Sequence, residues 1–133
     1  TFVMVPPPNP YRCPPGPYER VSMIAHLLKE RNSTAKIIVL DPKAKFSKMG
    51  LFMAGWEKHY PGMIEWLGPD AHGGIQSVNH ETMEIVTDLD TFKADAACVV
   101  IKAAQEDFIK KRGSDFEYKP MLGDRKPALN YRN

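Results

Sequence analysis

The sequence has 133 residues, a formal net charge of +2 and 43% hydrophobic residues, which suits one compact domain that closes a core without disulfide help. No basic run stands out, so nucleic-acid binding has no footing, and no apolar run reaches the length that spans a bilayer. The chain opens on Thr1 inside a predicted strand, with neither initiator methionine nor signal segment, and reads as a processed chain or an excised domain of something longer.

Thr1 to Val5 is short, apolar and partly β-branched, the pattern of a central parallel strand. Pro6, Pro7 and Pro8 end it, because proline cannot donate to a ladder. Seven of the twelve prolines fall between Pro6 and Pro17, which predicts a stiff loop suited to holding one side chain still. A helix follows, with Gly16 expected at its N-cap, Pro17 at the first helical position and Glu19 in the first turn, where the macrodipole favours a carboxylate. Val21, Ile24, Ala25 and Leu28 recur at helical spacing and define the face turned to a sheet. His26 is expected on the rim, and Asn32-Ser33 stops the helix.

Strand, loop and helix in this order form the opening of a dinucleotide-binding βαβ unit, which normally carries G-x-G-x-x-G in the loop. Here the loop holds Gly16 as its one glycine, several prolines and Cys13, so the frame is that of a nucleotide site and the loop chemistry is not. Lys36 to Asp41 reads as the second parallel strand. Asp41 stands where such folds hold a ribose hydroxyl and is the one candidate cofactor-binding residue, set against a plain strand-end or turn role.

Phe46-Ser47 opens a segment rich in aromatic and methionine side chains. Ser47 is expected to cap a helix to about His59, Pro61-Gly62 to break it, and Met63 to Leu67 to add a second helical turn. These groups suit either core packing or contact with another domain or subunit. From Gly73-Gly74 the period switches to two: Ile75 to Asn79, Met83 to Thr87 and Thr91 to Lys93 predict a β-meander with turns at His80-Glu81 and Asp88 to Asp90. His72, His80 and Glu81 match no metal-ligand spacing and read as turn residues. Cys98 to Ile101 is expected as a buried parallel strand with Cys98 a structural thiol, since buried free cysteine behaves as a small apolar group. Ala103 to Lys111 suits a short helix ended by Gly113, and Ser114 to Asn133 a docked or disordered tail. Residues 1–101 are thus expected as an α/β domain and 102–133 as an appended segment.

Val5-Pro-Pro-Pro-Asn-Pro-Tyr-Arg-Cys-Pro-Pro-Gly-Pro-Tyr-Glu-Arg-Val-Ser-Met-Ile-Ala-His26 resembles the flavoprotein chain of flavocytochrome c sulfide dehydrogenase. Lys45-Phe-Ser-Lys-Met-Gly-Leu-Phe-Met-Ala-Gly-Trp56 and Tyr60-Pro-Gly-Met-Ile-Glu-Trp66 extend the likeness, which covers residues 1 to 101. The resemblance implies a three-layer fold like the NADH domain of the pyridine-nucleotide–disulfide oxidoreductases, within a parent that holds FAD on another domain and needs no NAD. It implies that Cys13 is one half of a redox-active pair beside the flavin and that Glu19 is a nearby acid or base. Electrons would pass from sulfide through that pair and FAD to a c-type cytochrome subunit, in a periplasmic setting where disulfides survive. The physical setting agrees: a thiolate is the species that reacts in disulfide exchange, and helix N-termini and cations favour it. Cys13 precedes a helix start, with Arg12 and Arg20 close in sequence and Glu19 opposing them. Three departures stand beside the likeness: no FAD fingerprint, no cysteine after Cys98, and a segment 102–133 that does not resemble the family's chain beyond its last strand. The fragment alone is expected to be inactive. Two other readings remain: an NAD(H)-binding domain using Asp41, and a non-catalytic interaction module docking through Met49 to Leu67.

Overall fold

The computed structural model describes residues 1–100; the expected helix from Ala103 and the tail from Ser114 lie outside the described residues. Parallel strands β1 (Phe2–Val5), β2 (Ile37–Leu40) and β3 (Ile64–Leu67) alternate with helices α1 (Gly16–Arg31) and α2 (Met49–His59). A short helix α3 (Pro69–His72) leads into the antiparallel strands β4 (Ile75–Asn79), β5 (Glu84–Thr87) and β6 (Thr91–Lys93), and β7 (Ala96–Val99) returns to the first sheet. The parallel sheet has the order β3-β2-β1-β7 and the second sheet the order β4-β5-β6.

Strand alternation sorts the core into two halves. Met4, Ile37 and Val39 face the helices and pack with Tyr18, Val21, Ala25 and Trp56. Val3, Val5 and Leu40 face the other way and pack with Ile85 and Ala94 from the meander. Helices, parallel sheet and meander therefore make the three layers of the expected α/β fold. Four-residue strands bury both faces only because both are covered, which is why β1 and β2 are nearly continuous apolar runs.

Several local expectations shift. α1 begins one residue early, with Pro15 rather than Gly16 at the N-cap, because the Cys13 carbonyl accepts the Gly16 N–H (3.0 Å) and starts the turn there. α2 is capped by Lys48 in the left-handed conformation (φ 58°), not by Ser47; the Lys48 carbonyl accepts from both Leu51 and Phe52. Ile64–Leu67, expected as a helical turn, is strand β3, paired in parallel with Ile37–Leu40. Four residues are too few for helical and strand periods to separate, and an open position beside β2 decides the matter. Cys98 lies on β7, parallel to β1 as expected, but is half-buried rather than enclosed, because β7 has no neighbour on its far side among the described residues. No helix among the described residues is long and apolar enough to cross a membrane.

The aromatic segment resolves mostly into core. Phe46 stacks on Tyr18 with ring centroids 3.7 Å apart and lies near Phe52, Trp56 and Trp66. Trp56 Nε1 donates to Ser22 Oγ (2.8 Å), which itself donates to the Tyr18 carbonyl (2.9 Å), so α2 is pinned to α1 by a polar contact within an apolar seam. Leu51 and Met53 remain exposed on α2, as do Met23 and Leu27 on α1.

The join between α3 and the meander depends on Gly73. Its φ is +80°, and an added Cβ would lie 2.5 Å from Asp88 Cβ. Asp88 is held there by its N–H to the Gly74 carbonyl (3.0 Å) and by a side-chain bond from Gln76. Gly73→Ala is therefore expected to destabilise the domain by about 1–3 kcal/mol or more, through left-handed strain plus the clash, measured by urea titration.

Candidate functional site

In an open parallel sheet, ligands meet the crevice outside the carboxyl ends of the strands, where the strand order reverses. Here β1 is flanked by β2 and β7, so the reversal lies at the end of β1, and the segment leaving it is the loop that carries Cys13. The first turn out of β1 is filled with side chain: Pro6 and Pro7 are fully buried. A dinucleotide turn needs bare backbone there to approach a pyrophosphate. The described residues place proline rings in that position instead.

Cys13 is exposed. Its sulfur lies against the first residue of α1: a Cβ added at Gly16 would stand 3.1 Å from Cys13 Sγ. Glycine at that position makes the close approach possible, a role that a reading of Gly16 as a cap residue does not capture. Glu19 is exposed, three residues along the helix and thus on the face of Gly16. No hydrogen bond or ion pair engages its carboxylate among the described residues. Arg20 is directed elsewhere: Nη1 donates to Cys98 Sγ (3.3 Å), tying α1 to the edge strand. The sequence brought Arg20 toward Cys13; the fold takes it to the other cysteine.

Asp41 has the most elaborate setting in the domain. Its carboxylate is fully buried at the end of β2. Oδ2 accepts from the Tyr18 hydroxyl (2.5 Å) and from Trp66 Nε1 (3.1 Å), while Oδ1 accepts from the Lys43 backbone N–H (3.0 Å) and lies 2.8 Å from Lys43 Nζ. His72 Nε2 donates to the Asp41 carbonyl (2.8 Å), and His72 Nδ1 has no partner among the described residues. The ribose candidate thus spends its oxygens on four groups of its own domain. Lys43 is nearly buried, donates also to the Pro7 carbonyl (2.7 Å), and lies over the rings of Tyr11 and Tyr18 at 5.1 and 5.8 Å. Tyr11 in turn donates to the Pro14 carbonyl (2.5 Å). The sequence reading missed Lys43, Tyr18 and Tyr11. A lysine two residues after a strand-end aspartate looks like an ordinary loop cation, and only the three-dimensional meeting of residues 11, 18, 41, 43 and 66 shows otherwise.

His72 ends α3, and His80 and Glu81 occupy the β4–β5 turn, where Asn79 Oδ1 accepts the Glu81 and Thr82 N–H groups. The three do not converge.

A β1–loop–α1 opening, strand order 3-2-1 continued on the far side of β1, and a second sheet over the opposite face define a domain of dinucleotide-binding architecture. Its phosphate turn is replaced by a proline-filled loop that presents a thiol. A family model, sulfide dehydrogenase [flavocytochrome c] flavoprotein chain, central, matches residues 1–101. The chain belongs to that family, as the central region of a sulfide dehydrogenase flavoprotein.

Burial and the hydrogen bond to Asp41 hold the Tyr18 phenol far above its ordinary value of 10.0, and burial also raises Tyr11. Below about pH 10 both folded and unfolded chains keep the Tyr18 proton, and its contribution to stability is whole. Above that, only the unfolded chain releases it, and Tyr18 lowers stability by about 1.4 kcal/mol per pH unit. Denaturant titrations from pH 9 upward, to about pH 11, are expected to show this slope, and Tyr18→Phe to reduce it by one proton's worth.

Proposed function

We propose that residues 1–101 form the NADH-domain-like part of a sulfide–cytochrome c oxidoreductase, and that Cys13 is its redox-active thiol. The observation that carries this reading is the placement of Cys13: exposed, at the strand-order reversal, its sulfur on the first residue of α1. In the reaction, hydrosulfide attacks one sulfur of a disulfide that Cys13 shares with a second cysteine of the parent protein. The S–S bond breaks, one sulfur becomes a persulfide, and the other leaves as a thiolate carrying the electron pair. Glu19, on the same face of α1 as Gly16, is the carboxylate available to take the proton of the incoming sulfide. FAD, which another part of the parent would hold, would supply the two-electron acceptor when bound, with a c-type cytochrome subunit as the onward partner. The chain by itself is then a thiol-bearing half-site without turnover. Disulfide chemistry of this kind suits the periplasm, which keeps such bonds oxidised.

Two features of the described residues weigh against a nicotinamide nucleotide. Buried prolines occupy the turn that would approach the pyrophosphate, and the strand-end carboxylate is enclosed by Tyr18, Trp66 and Lys43. No step in this domain is assigned to NAD. Met23 and Leu27, one turn apart on α1, and Leu51 and Met53 on the two flanks of α2 are exposed apolar side chains, which favours contact with another part of the parent or its cytochrome.

In the parent flavoprotein, Cys13→Ser is expected to abolish sulfide-dependent flavin reduction, followed by visible absorbance, with far- and near-ultraviolet circular dichroism unchanged. Undiminished reduction removes Cys13 from the mechanism. Calorimetric titration of the domain with NADH is expected to show no saturable binding up to about a millimolar; a Kd of about a micromolar would restore the nucleotide reading.

A further inference from the structure

The buried cluster around Asp41 does more than close a strand end, because it reaches the Cys13 loop twice. One arm runs from Asp41 Oδ1 to Lys43 Nζ (2.8 Å) and on to the Pro7 carbonyl (2.7 Å), where the loop leaves β1. The other starts from the same ammonium, which Asp41 Oδ1 holds and which lies 5.1 Å from the centre of the Tyr11 ring. Tyr11 donates to the Pro14 carbonyl (2.5 Å), on the residue immediately after Cys13. The same ammonium lies 5.8 Å from the centre of the Tyr18 ring, whose hydroxyl donates to Asp41 Oδ2 (2.5 Å), so one cation joins both arms to the carboxylate.

Stability is a poor explanation for this arrangement. Removing a carboxylate and an ammonium from water costs several kcal/mol per ion, and an apolar pair of similar volume often does as well. Proline has no backbone N–H and fixed φ, but prolines alone do not orient a loop relative to the sheet. Both carbonyls that the cluster grips belong to prolines, and they bracket the thiol.

We propose that Lys43 and Tyr11 are positioning residues for Cys13: a two-armed brace, anchored on the buried Asp41 carboxylate, that holds the loop so that the sulfur rests on Gly16. This deepens the assignment of Cys13 as the redox thiol and rests on it. A thiol held in one place has a higher effective concentration toward its disulfide partner than one on a released loop. The brace therefore favours the oxidised pair and keeps one side of the exposed sulfur covered by Gly16.

The test uses the whole flavoprotein with Tyr11→Phe, Lys43→Met, Lys43→Arg and, as a control that removes an exposed charge, Lys48→Met. After reduction, the rate of Cys13 alkylation by iodoacetamide is followed by peptide mapping. Tyr11→Phe and Lys43→Met are expected to raise it about fivefold, the equilibrium worth of one lost hydrogen bond. Lys43→Arg, which keeps a cation able to meet Asp41 and the Pro7 carbonyl, is expected to return toward the parent rate, and Lys48→Met to leave it unchanged. In glutathione buffers the same two variants should lose about tenfold in the equilibrium constant for the Cys13 disulfide, equal to about 30 mV. If Lys43→Met does not fold, Tyr11→Phe, which keeps the ring and loses one hydroxyl, decides alone. A parental alkylation rate in Tyr11→Phe overturns the brace. If mapping finds no disulfide involving Cys13 in the parent, the redox assignment fails, and the alkylation rates still decide whether the brace holds the thiol.

Discussion

A carboxylate buried at the end of β2 organises this domain. Asp41 has no exposed surface, and an ion in that position survives only if its oxygens are fully engaged. Tyr18 brings α1, Trp66 brings β3, and Lys43 brings the segment after β2, while the Asp41 carbonyl receives His72 from α3. Each aromatic donor is held in turn by apolar packing: Tyr18 by Phe46, and Trp66 by the same ring. Apolar burial supplies the compactness, and the carboxylate specifies which way the pieces meet. Without it, helices and strands of similar hydrophobicity would have few reasons to prefer one relative setting.

The same carboxylate marks where this domain departs from the nucleotide-binding frame. In the dinucleotide version, the carboxylate at the end of the second strand faces outward to a ribose and the glycine turn faces a pyrophosphate. In this chain the carboxylate has turned to the protein, and the turn has filled with prolines whose rings are buried. Both changes work in the same direction. Where the dinucleotide version offers bare backbone, this crevice has a proline-filled ledge on which an exposed thiol is presented.

Much of this was legible in the order of residues. The runs at β1 and β2, the helical spacing of Val21, Ile24, Ala25 and Leu28, and the alternation from Ile75 onward all report local periods, and local periods survive in sequence. β3 was illegible because its four residues, Ile64–Leu67, carry no period long enough to choose between helix and strand. α3 left a signal that went unused, with Pro69 at the first helical position and Asp70 in the first turn. Cys13 stood out by its setting among prolines. The partners of Asp41 did not, because Tyr18 and Trp66 are more than twenty residues away on opposite sides, and nothing in a single sequence links them. Buried polar networks are assembled by tertiary contact, and they are the part of a site that pattern reading is least able to find.

The division of the core into two halves has an evolutionary side. Side chains on opposite faces of the parallel sheet meet different partners, and substitutions that share no partner add nearly independently. The meander layer can therefore drift, repack or exchange its loops without disturbing the helix-side cluster that governs the thiol loop. Asp41 is the exception, since its carboxylate serves the helical side while its carbonyl is claimed by the helix that leads into the meander. A lineage exploring new surfaces on the meander would be free to change almost anything there except the short stretch, Gly68 to Gly74, that delivers His72 to that carbonyl.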